Sequence, residues 1–562
     1  MKKLSYCCGV GNEPLIYETI GNVLSATAEM YPDQDAAVFV HQNKRFTFRE
    51  LNEVTQTIAG NLLKLGIQSG DRVGIWSPNR AEWVLTQFAA AQIGAILVTI
   101  NPAYRAFEVE SVMNRTGVKA LVIADRFKNS DYVALLAELA PEIANCAPGE
   151  TKSRRLPHLT HVILISDHNL PGMLSFDELY QPLDEDNIAR LDARMAQAQP
   201  DDAINIQFSS GTTGSPKGIT LSHFNILNNG YFMTGRMGLK AGDRLCIPVP
   251  LYHCYGMVMG VLGCLTRGAA MIFPDEGFSP KSVLAAVQNE RCTALFSVPT
   301  MYIAMLSDPD FASYDLSSLR TGNMGAAQCP ADVMKQVIER MNMRGITISY
   351  GMTETSPITF QTTEYDTFER RLHSVGRIHS HVQAKIVDAD GKIVPIGQRG
   401  ELCIRGYSVM RGYWEDPEQT AEVIDQNGWL HTGDLAVFDE EYYCRIVGRA
   451  KDMINRGGEN ISPVEVESFL IMHPKVMDVA VFGIPDDKFG ELVGAWIKLY
   501  ENQSVDAEEI KTFCKNKIAH YKIPAHIRFV EEFPMTVSGK VQKFLIRERM
   551  NEELGLHEAK LN

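Results

Sequence analysis

Residues 208–220 read FSSGTTGSPKGIT, a loop rich in glycine, serine and threonine that holds one lysine and one proline. Before it, Ile204, Ile206 and Phe208 alternate with polar positions, the period-two pattern of a half-buried strand. Beyond it, Phe224, Ile226 and Leu227 open an apolar segment that predicts a helix from about Ser222. A strand, a hydroxyl-rich glycine loop and a helix together make a phosphate cradle. Glycines let backbone N–H groups approach an anion, hydroxyls add donors, and Lys217 adds positive charge. Gly-Thr-Thr-Gly alone would be an ordinary surface loop; its flanks give it meaning.

The loop is not a Walker A motif, which needs Gly, four residues, then Gly-Lys-Ser/Thr. Counted from Gly211, the second glycine position is Pro216, and Gly218 follows Lys217. The stretch therefore points to a nucleoside triphosphate but away from the P-loop hydrolases.

Working outward, strand and helix patterns alternate. Thr47 and Glu50 have capping-box spacing, and Leu51, Val54, Ile58 and Leu62 follow at helical intervals. Residues 72–76 read as a strand, 81–93 as a helix, 96–100 as a strand, 107–114 as a helix and 119–124 as a strand. Such alternation predicts an α/β fold with mainly parallel sheets. Residues 1–40 read as a lead-in with one helix. Further strands are expected at 161–166, 244–249, 270–273, 294–298 and 347–349. From 384 to about 448 short strands and tight turns predict a β-rich subdomain, with Asp390-Gly391 as a hairpin signal. Ser462-Pro463-Val464-Glu465 predicts a capped helix opening a small α+β domain. The expected domains are 1–450 and 451–562. The large one holds two α/β sheet subdomains and the β-rich piece; the small one is mobile.

The bulk numbers narrow the class. A chain of 562 residues is too long for one core and suggests roughly three to four lobes. A net charge of −14 argues against a nucleic-acid partner. The 11 cysteines are scattered, with no C-x-x-C pair, which predicts reduced thiols, a cytoplasmic location and no zinc site. The N-terminal MKKLSYCCGVGNEPL lacks the apolar core of a signal peptide. The longest apolar stretch, near 88–100, is interrupted by Gln92, Gly94 and Thr99, short of a membrane span.

Several polar islands lie along the chain in order: the glycine loop, SYGMTET at 349–355, Thr432-Gly433-Asp434, Gly448-Arg449 and the loop around Lys540. Together they resemble the adenylate-forming superfamily, which contains acyl- and aryl-CoA synthetases, peptide-synthetase adenylation domains and luciferases. PLYHCYG at 250–256, GELCIRGY at 400–407 and GRAKDMINRGGENISP at 448–463 are most similar to medium-chain fatty-acid–CoA ligases. The resemblance spans nearly the whole chain.

It implies ATP and CoA as substrates, Mg²⁺ as cofactor and a small carboxylic acid as the third partner; it also allows a homodimer. Ser209, Ser210, Thr212, Thr213 and Lys217 would hold the β- and γ-phosphates, with Gly211, Gly214, Ser215 and Pro216 completing the loop. Glu354 would be the Mg²⁺ ligand. Gly325, Ala326, Ala327 and Tyr350 would enclose adenine, continued by Gly351, Met352 and Thr353. Asp434 would bind the ribose, assisted by Arg449. Lys540, with Glu354 and Thr213, would be catalytic. Lys451 would be the hinge, and Gly457, Gly458 and Glu459 the CoA-side loop.

His253, Tyr255, Gly256 and Met257 match the acyl pocket. A lone histidine is more often a satisfied core residue, and no base is needed, because a carboxylate is already ionised at pH 7. No tryptophan follows His253 within a few residues, which favours a medium chain over a long one. An aryl-CoA ligase is the alternative among enzymes. A non-catalytic acyl- or nucleotide-binding protein would tolerate loss of Lys540 or Glu354, yet both residues are present.

Overall fold

Thr47 does what its spacing to Glu50 predicts. Its hydroxyl accepts from the Glu50 N–H at 3.2 Å, and the Glu50 carboxylate accepts from the Thr47 N–H at 2.8 Å. The helix Phe48–Lys64 thus begins with two orphan donors satisfied. Gly66, at φ +81, turns the chain beyond its end. The structure is a computed structural model, and it describes residues 3–209, 217–325, 330–456, 459–486, 488–515, 517–536 and 541–556.

The chain divides into two compact units. The larger comprises Cys8–Gln383 and Ile404–Leu430. The smaller comprises Met1–Cys7, Ala384–Cys403 and His431–Asn562.

The larger unit contains two big sheets with parallel centres and antiparallel edges. An eight-stranded sheet runs, in spatial order, Leu174–Ser175, His161–Ile165, Val118–Ala124, Arg72–Trp76, Ile96–Thr99, Ala203–Ser209, Lys217–Ser222 and Gly412–Tyr413. All pairs are parallel up to Ala203–Ser209, and the last two pairings are antiparallel. A nine-stranded sheet is built likewise, with Thr321–Met324 between Ala294–Ser297 and Gly345–Gly351. Strands this deep are apolar on both faces, as parallel sheets under helices must be. The helix Ala81–Gln92 is buried at every position, which explains its near-continuous apolar sequence.

The structure corrects the expectation for the far side of the glycine loop. Lys217–Ser222 is a strand that folds back antiparallel on Ala203–Ser209, pairing Ser209 with Lys217 and Phe208 with Gly218. The helix itself begins where expected, at His223, capped by Ser222, whose hydroxyl accepts from the Asn225 N–H at 3.2 Å. The stretch 217–222 is therefore a sheet strand and not the entry to a helix. Ile219 and Leu221 carry the alternation that signals this strand. The lead-in also holds more than one helix: Tyr6–Cys8 and Asp35–Phe39 are strands that find partners far along the chain, and Lys44–Thr47 pairs back on Asp35–Phe39. Thr321–Met324 has no strand-like sequence and becomes one through its two neighbours.

In the smaller unit, a five-stranded sheet is ordered Tyr6–Cys8, Val382–Val387, Gly400–Gly406, Leu430–Phe438, Cys444–Arg449. A second sheet centres on the long antiparallel pair Val476–Asp486 and Gly490–Leu499. The helix Pro463–Leu470 starts with proline in its first turn, but the expected capping box does not form. The Ser462 hydroxyl instead donates to the Val447 carbonyl, so a partner outside the helix has outcompeted the local cap.

Candidate active site

The hairpin base brings three distant stretches of the larger unit together. Lys217 holds its ammonium 4.8 Å from the centroid of the Tyr413 ring. Tyr413 lies on the edge strand beside it, paired with Ile219, and its hydroxyl donates to Glu354 Oε1 at 3.3 Å. Burial, reinforced by the Glu354 charge, drives the Tyr413 phenol above its ordinary pKa and keeps it a donor. Glu354 sits on the one-turn helix Thr353–Thr355 and is only 8% exposed. The turn is clamped by Asn229, which accepts from the Ile358 N–H at 2.9 Å and donates to the Ile358 carbonyl at 2.7 Å. Thr355 closes it by donating to the Pro357 carbonyl at 2.6 Å. Glu354 is thus a carboxylate presented on a rigid backbone, with one oxygen already oriented.

The PLYHCYG stretch packs against the same region. The Cys254 thiol donates to Gln207 Oε1 at 3.0 Å, and the Gln207 amide donates to Met257 Sδ at 3.0 Å. Burial pushes the Cys254 thiol up to about 12, so it serves as a hydrogen-bond donor and not as a thiolate nucleophile. His253 Nδ1 accepts from the Tyr255 N–H at 3.2 Å, which leaves the proton of the neutral ring on Nε2. From Tyr255 to Leu262 the chain winds as a π-helix, buried throughout. Such irregular turns recur at functional sites because they re-aim side chains. Gly256 lies so close to Pro250 that a Cβ would stand 2.4 Å from its carbonyl oxygen.

The Tyr255 hydroxyl lies 3.0 Å from the Ser297 carbonyl and 2.9 Å from the Asn323 carbonyl. Asn323 Oδ1 accepts from Ser349 Oγ at 3.1 Å, and a Cβ on Gly325 would meet both Asn323 Oδ1 and Ser349 Oγ. The stretch expected at adenine therefore adjoins the stretch expected at the acyl chain. Tyr350 is half-buried, its ring 6.3 Å from that of Phe360.

In the smaller unit, Asp434 and Arg449 face each other across two antiparallel strands, with Arg449 Nε 3.0 Å from Asp434 Oδ1. Asp434 is 5% exposed. The strand segment before it is braced twice: Thr432 Oγ1 donates to the Leu402 carbonyl at 2.7 Å, and the Gly433 N–H donates to Glu401 Oε1 at 3.1 Å. Gly433 has φ +69, which suits glycine. Lys451 is exposed on the short turn Ala450–Asp452 directly after Arg449.

Residues 210–216, Ala326, Ala327, Gly457, Gly458 and Lys540 lie outside the described residues. Glu459 is described only by its backbone, in the strand Glu459–Ile461. Three further residues, Tyr413, Asn229 and Gln207, join the site without a sequence signal of their own. Tyr413 sits in RGYW at 411–414, a polar-aromatic run in the middle of the β-rich region.

Comparison with known proteins agrees with this geometry. A family model for AMP-binding enzymes matches residues 24–414, and one for the AMP-binding enzyme C-terminal domain matches 465–540. The zebrafish (Danio rerio) mitochondrial medium-chain acyl-CoA ligase ACSF2 is 46% identical over 555 residues, covering 98% of this chain and 91% of its own. A Bacillus subtilis (strain 168) protein named as an acyl-CoA synthetase, YngI, is 48% identical over 543 residues, covering 96% of this chain and 99% of its own. Among solved structures, the anthranilate CoA ligase AuaEII with anthranoyl-AMP superimposes with a TM-score of 0.84 at 29% identity, covering 97% of this chain and 99% of that one. The matched family models, the relatives and the shared fold make one statement: this chain belongs to the AMP-binding, adenylate-forming enzyme family.

Proposed function

We propose that this AMP-forming acid–thiol ligase joins medium-chain fatty acids to CoA, through an acyl adenylate and with release of AMP and pyrophosphate. The observation that carries the reading is the buried apolar π-helix Tyr255–Leu262, which follows His253 and adjoins Gly325 through Asn323. It offers an apolar wall next to the expected adenine stretch. The relatives named medium-chain acyl-CoA ligases support the chain length. An aryl acid is the second reading, favoured by the likeness to the anthranilate CoA ligase. A panel from acetate through octanoate to palmitate, with benzoate, decides between them when CoA-dependent AMP release is measured. Highest kcat/KM on octanoate is expected; highest on benzoate would give the site to aryl acids.

In the first half-reaction a carboxylate oxygen bonds to the α-phosphorus of ATP and the bond to pyrophosphate breaks. Anion meets polyanion, so positioning and charge neutralisation do most of the work. The loop 209–217 holds the departing pyrophosphate end, Asp434 and Arg449 hold the ribose, and Lys540 bridges the carboxylate and the α-phosphate. Glu354 fits Mg²⁺: it is a hard oxygen donor on a backbone fixed by Asn229 and Thr355. When bound, Mg²⁺ supplies positive charge to the phosphates.

In the second half-reaction the CoA thiol bonds to the acyl carbonyl carbon and AMP leaves. Residues 451–562 rotate about Lys451, withdrawing Lys540 and bringing Gly457, Gly458 and Glu459 to the thiol. Such a rotation must break the Ser462–Val447 hydrogen bond, which links the two sides of Lys451. Lys451→Pro is expected to lower thioester formation roughly tenfold by stiffening the hinge. ATP–pyrophosphate exchange should stay near wild type, and a parallel fall in both rates would move the hinge elsewhere. A cytoplasmic homodimer belongs to the same proposal; reduced thiols support the compartment, and no helix among the described residues is long and apolar enough to cross a membrane.

A further inference from the structure

Glu401 and Cys403 are two apart on the strand Gly400–Gly406, so their side chains leave the same face. His431 opens the next part of the sheet on the neighbouring strand Leu430–Phe438. Its Nδ1 lies 2.9 Å from Glu401 Oε2 and 3.6 Å from Cys403 Sγ, and the three donor atoms all lie within 4.8 Å of one another. The cluster offers an oxygen, a sulfur and a nitrogen ligand atom to one point.

We propose that Glu401, Cys403 and His431 form a site for a borderline-soft divalent cation, with Zn²⁺ the fitting ion. Tetrahedral zinc bonded at about 2.0–2.1 Å to nitrogen and about 2.3 Å to sulfur spaces those donors by roughly 3.5 Å, close to the distance found. The carboxylate oxygen needs to withdraw from Nδ1 by only a few tenths of an ångström. On binding, Cys403 loses its thiol proton to solvent and His431 coordinates through Nδ1 with its proton on Nε2. Carboxylate, thiolate and Zn²⁺ then sum to zero charge, and a solvent molecule takes the fourth position. The second shell is in place, because Glu401 Oε1 is held by the Gly433 N–H at 3.1 Å. The site shares the strand Leu430–Phe438 with Asp434, but its occupancy can be read without any assay of ligase activity.

Cobalt(II) serves as the spectroscopic probe. One equivalent added to the reduced full-length protein should give visible d–d bands and a thiolate-to-metal band, displaced by Zn²⁺. Cys403→Ser should abolish the thiolate band, and Glu401→Gln should weaken binding at least about tenfold. Cys8→Ser, which removes an exposed thiol, should change neither. Should Cys403→Ser fail to fold, His431→Asn takes its place, judged by circular dichroism. Thiolate bands that survive in these variants, bands lost with Cys8→Ser, or a folded wild type without bands would each overturn the site.

Discussion

Lys540→Ala is expected to lower ATP–pyrophosphate exchange by about 10²–10³-fold, the usual effect of removing one well-placed electrostatic group from a charge-developing step. The same variant should still make thioester from supplied acyl adenylate at near wild-type rate. The asymmetry follows from the chemistry. In the first step a carboxylate approaches a polyphosphate, and a cation that touches both lowers their repulsion. In the second step a thiol attacks a carbonyl and AMP leaves, and the proposed rotation takes Lys540 away. Exchange of radiolabelled pyrophosphate measures the first half, and thioester release from synthetic octanoyl-AMP measures the second. Equal losses in the two assays would remove Lys540 from its assigned role.

Gly351→Ala should be among the most damaging single-methyl substitutions in the chain, costing about 3 kcal/mol of stability. A Cβ on Gly351 would stand 1.8 Å from the Pro357 carbonyl oxygen, 2.7 Å from its carbon and 2.9 Å from Ile358 Cα. All three are backbone atoms, so no rotamer relieves the clash. Gly351 pairs with Ile358 just beyond a register shift, and the segment between them contains Glu354. Pushing the two strands apart also displaces Glu354 from Tyr413, so the KM for ATP should rise along with the loss of stability. Gly433→Ala is the instructive comparison. There φ is +69 but nothing lies within 4 Å of the new methyl, so only backbone strain of about 1–2 kcal/mol is expected. Urea midpoints of the two variants check the order; a Gly351→Ala midpoint equal to wild type would show that the close approach is not real.

The motif stretches were legible because each announces its chemistry locally. FSSGTTGSPKGIT, SYGMTET and TGD are runs rich in small, hydroxylated or charged residues set between apolar segments, and their order carries the family. The parallel strands were legible through short apolar runs, and Thr47–Glu50 through a contact three residues long. The failures are equally local. Ser462 has the spacing of a cap, yet its hydroxyl bonds Val447, a partner that sequence proximity does not reveal. Thr321–Met324 is a strand only because strands on both sides supply hydrogen bonds. Tyr413 reaches Glu354 because an edge strand returns from far along the chain to pair with Lys217–Ser222.

The cysteine count illustrates the same limit. Spacing along the chain predicts no zinc ligands, since metal motifs are recognised when their donors are close in sequence. Glu401 and Cys403 meet His431 only across a sheet. The amino-acid sequence by itself determined the family and the α/β class, because these depend on residue type and short-range order. The tertiary structure alone decided that Lys217–Ser222 pairs antiparallel with Ala203–Ser209, that Tyr413 and Asn229 hold the turn and carboxylate of Glu354, and that Glu401, Cys403 and His431 come together. Those are long-range contacts, fixed by strand pairing and burial between segments whose separation in sequence carries no local signal.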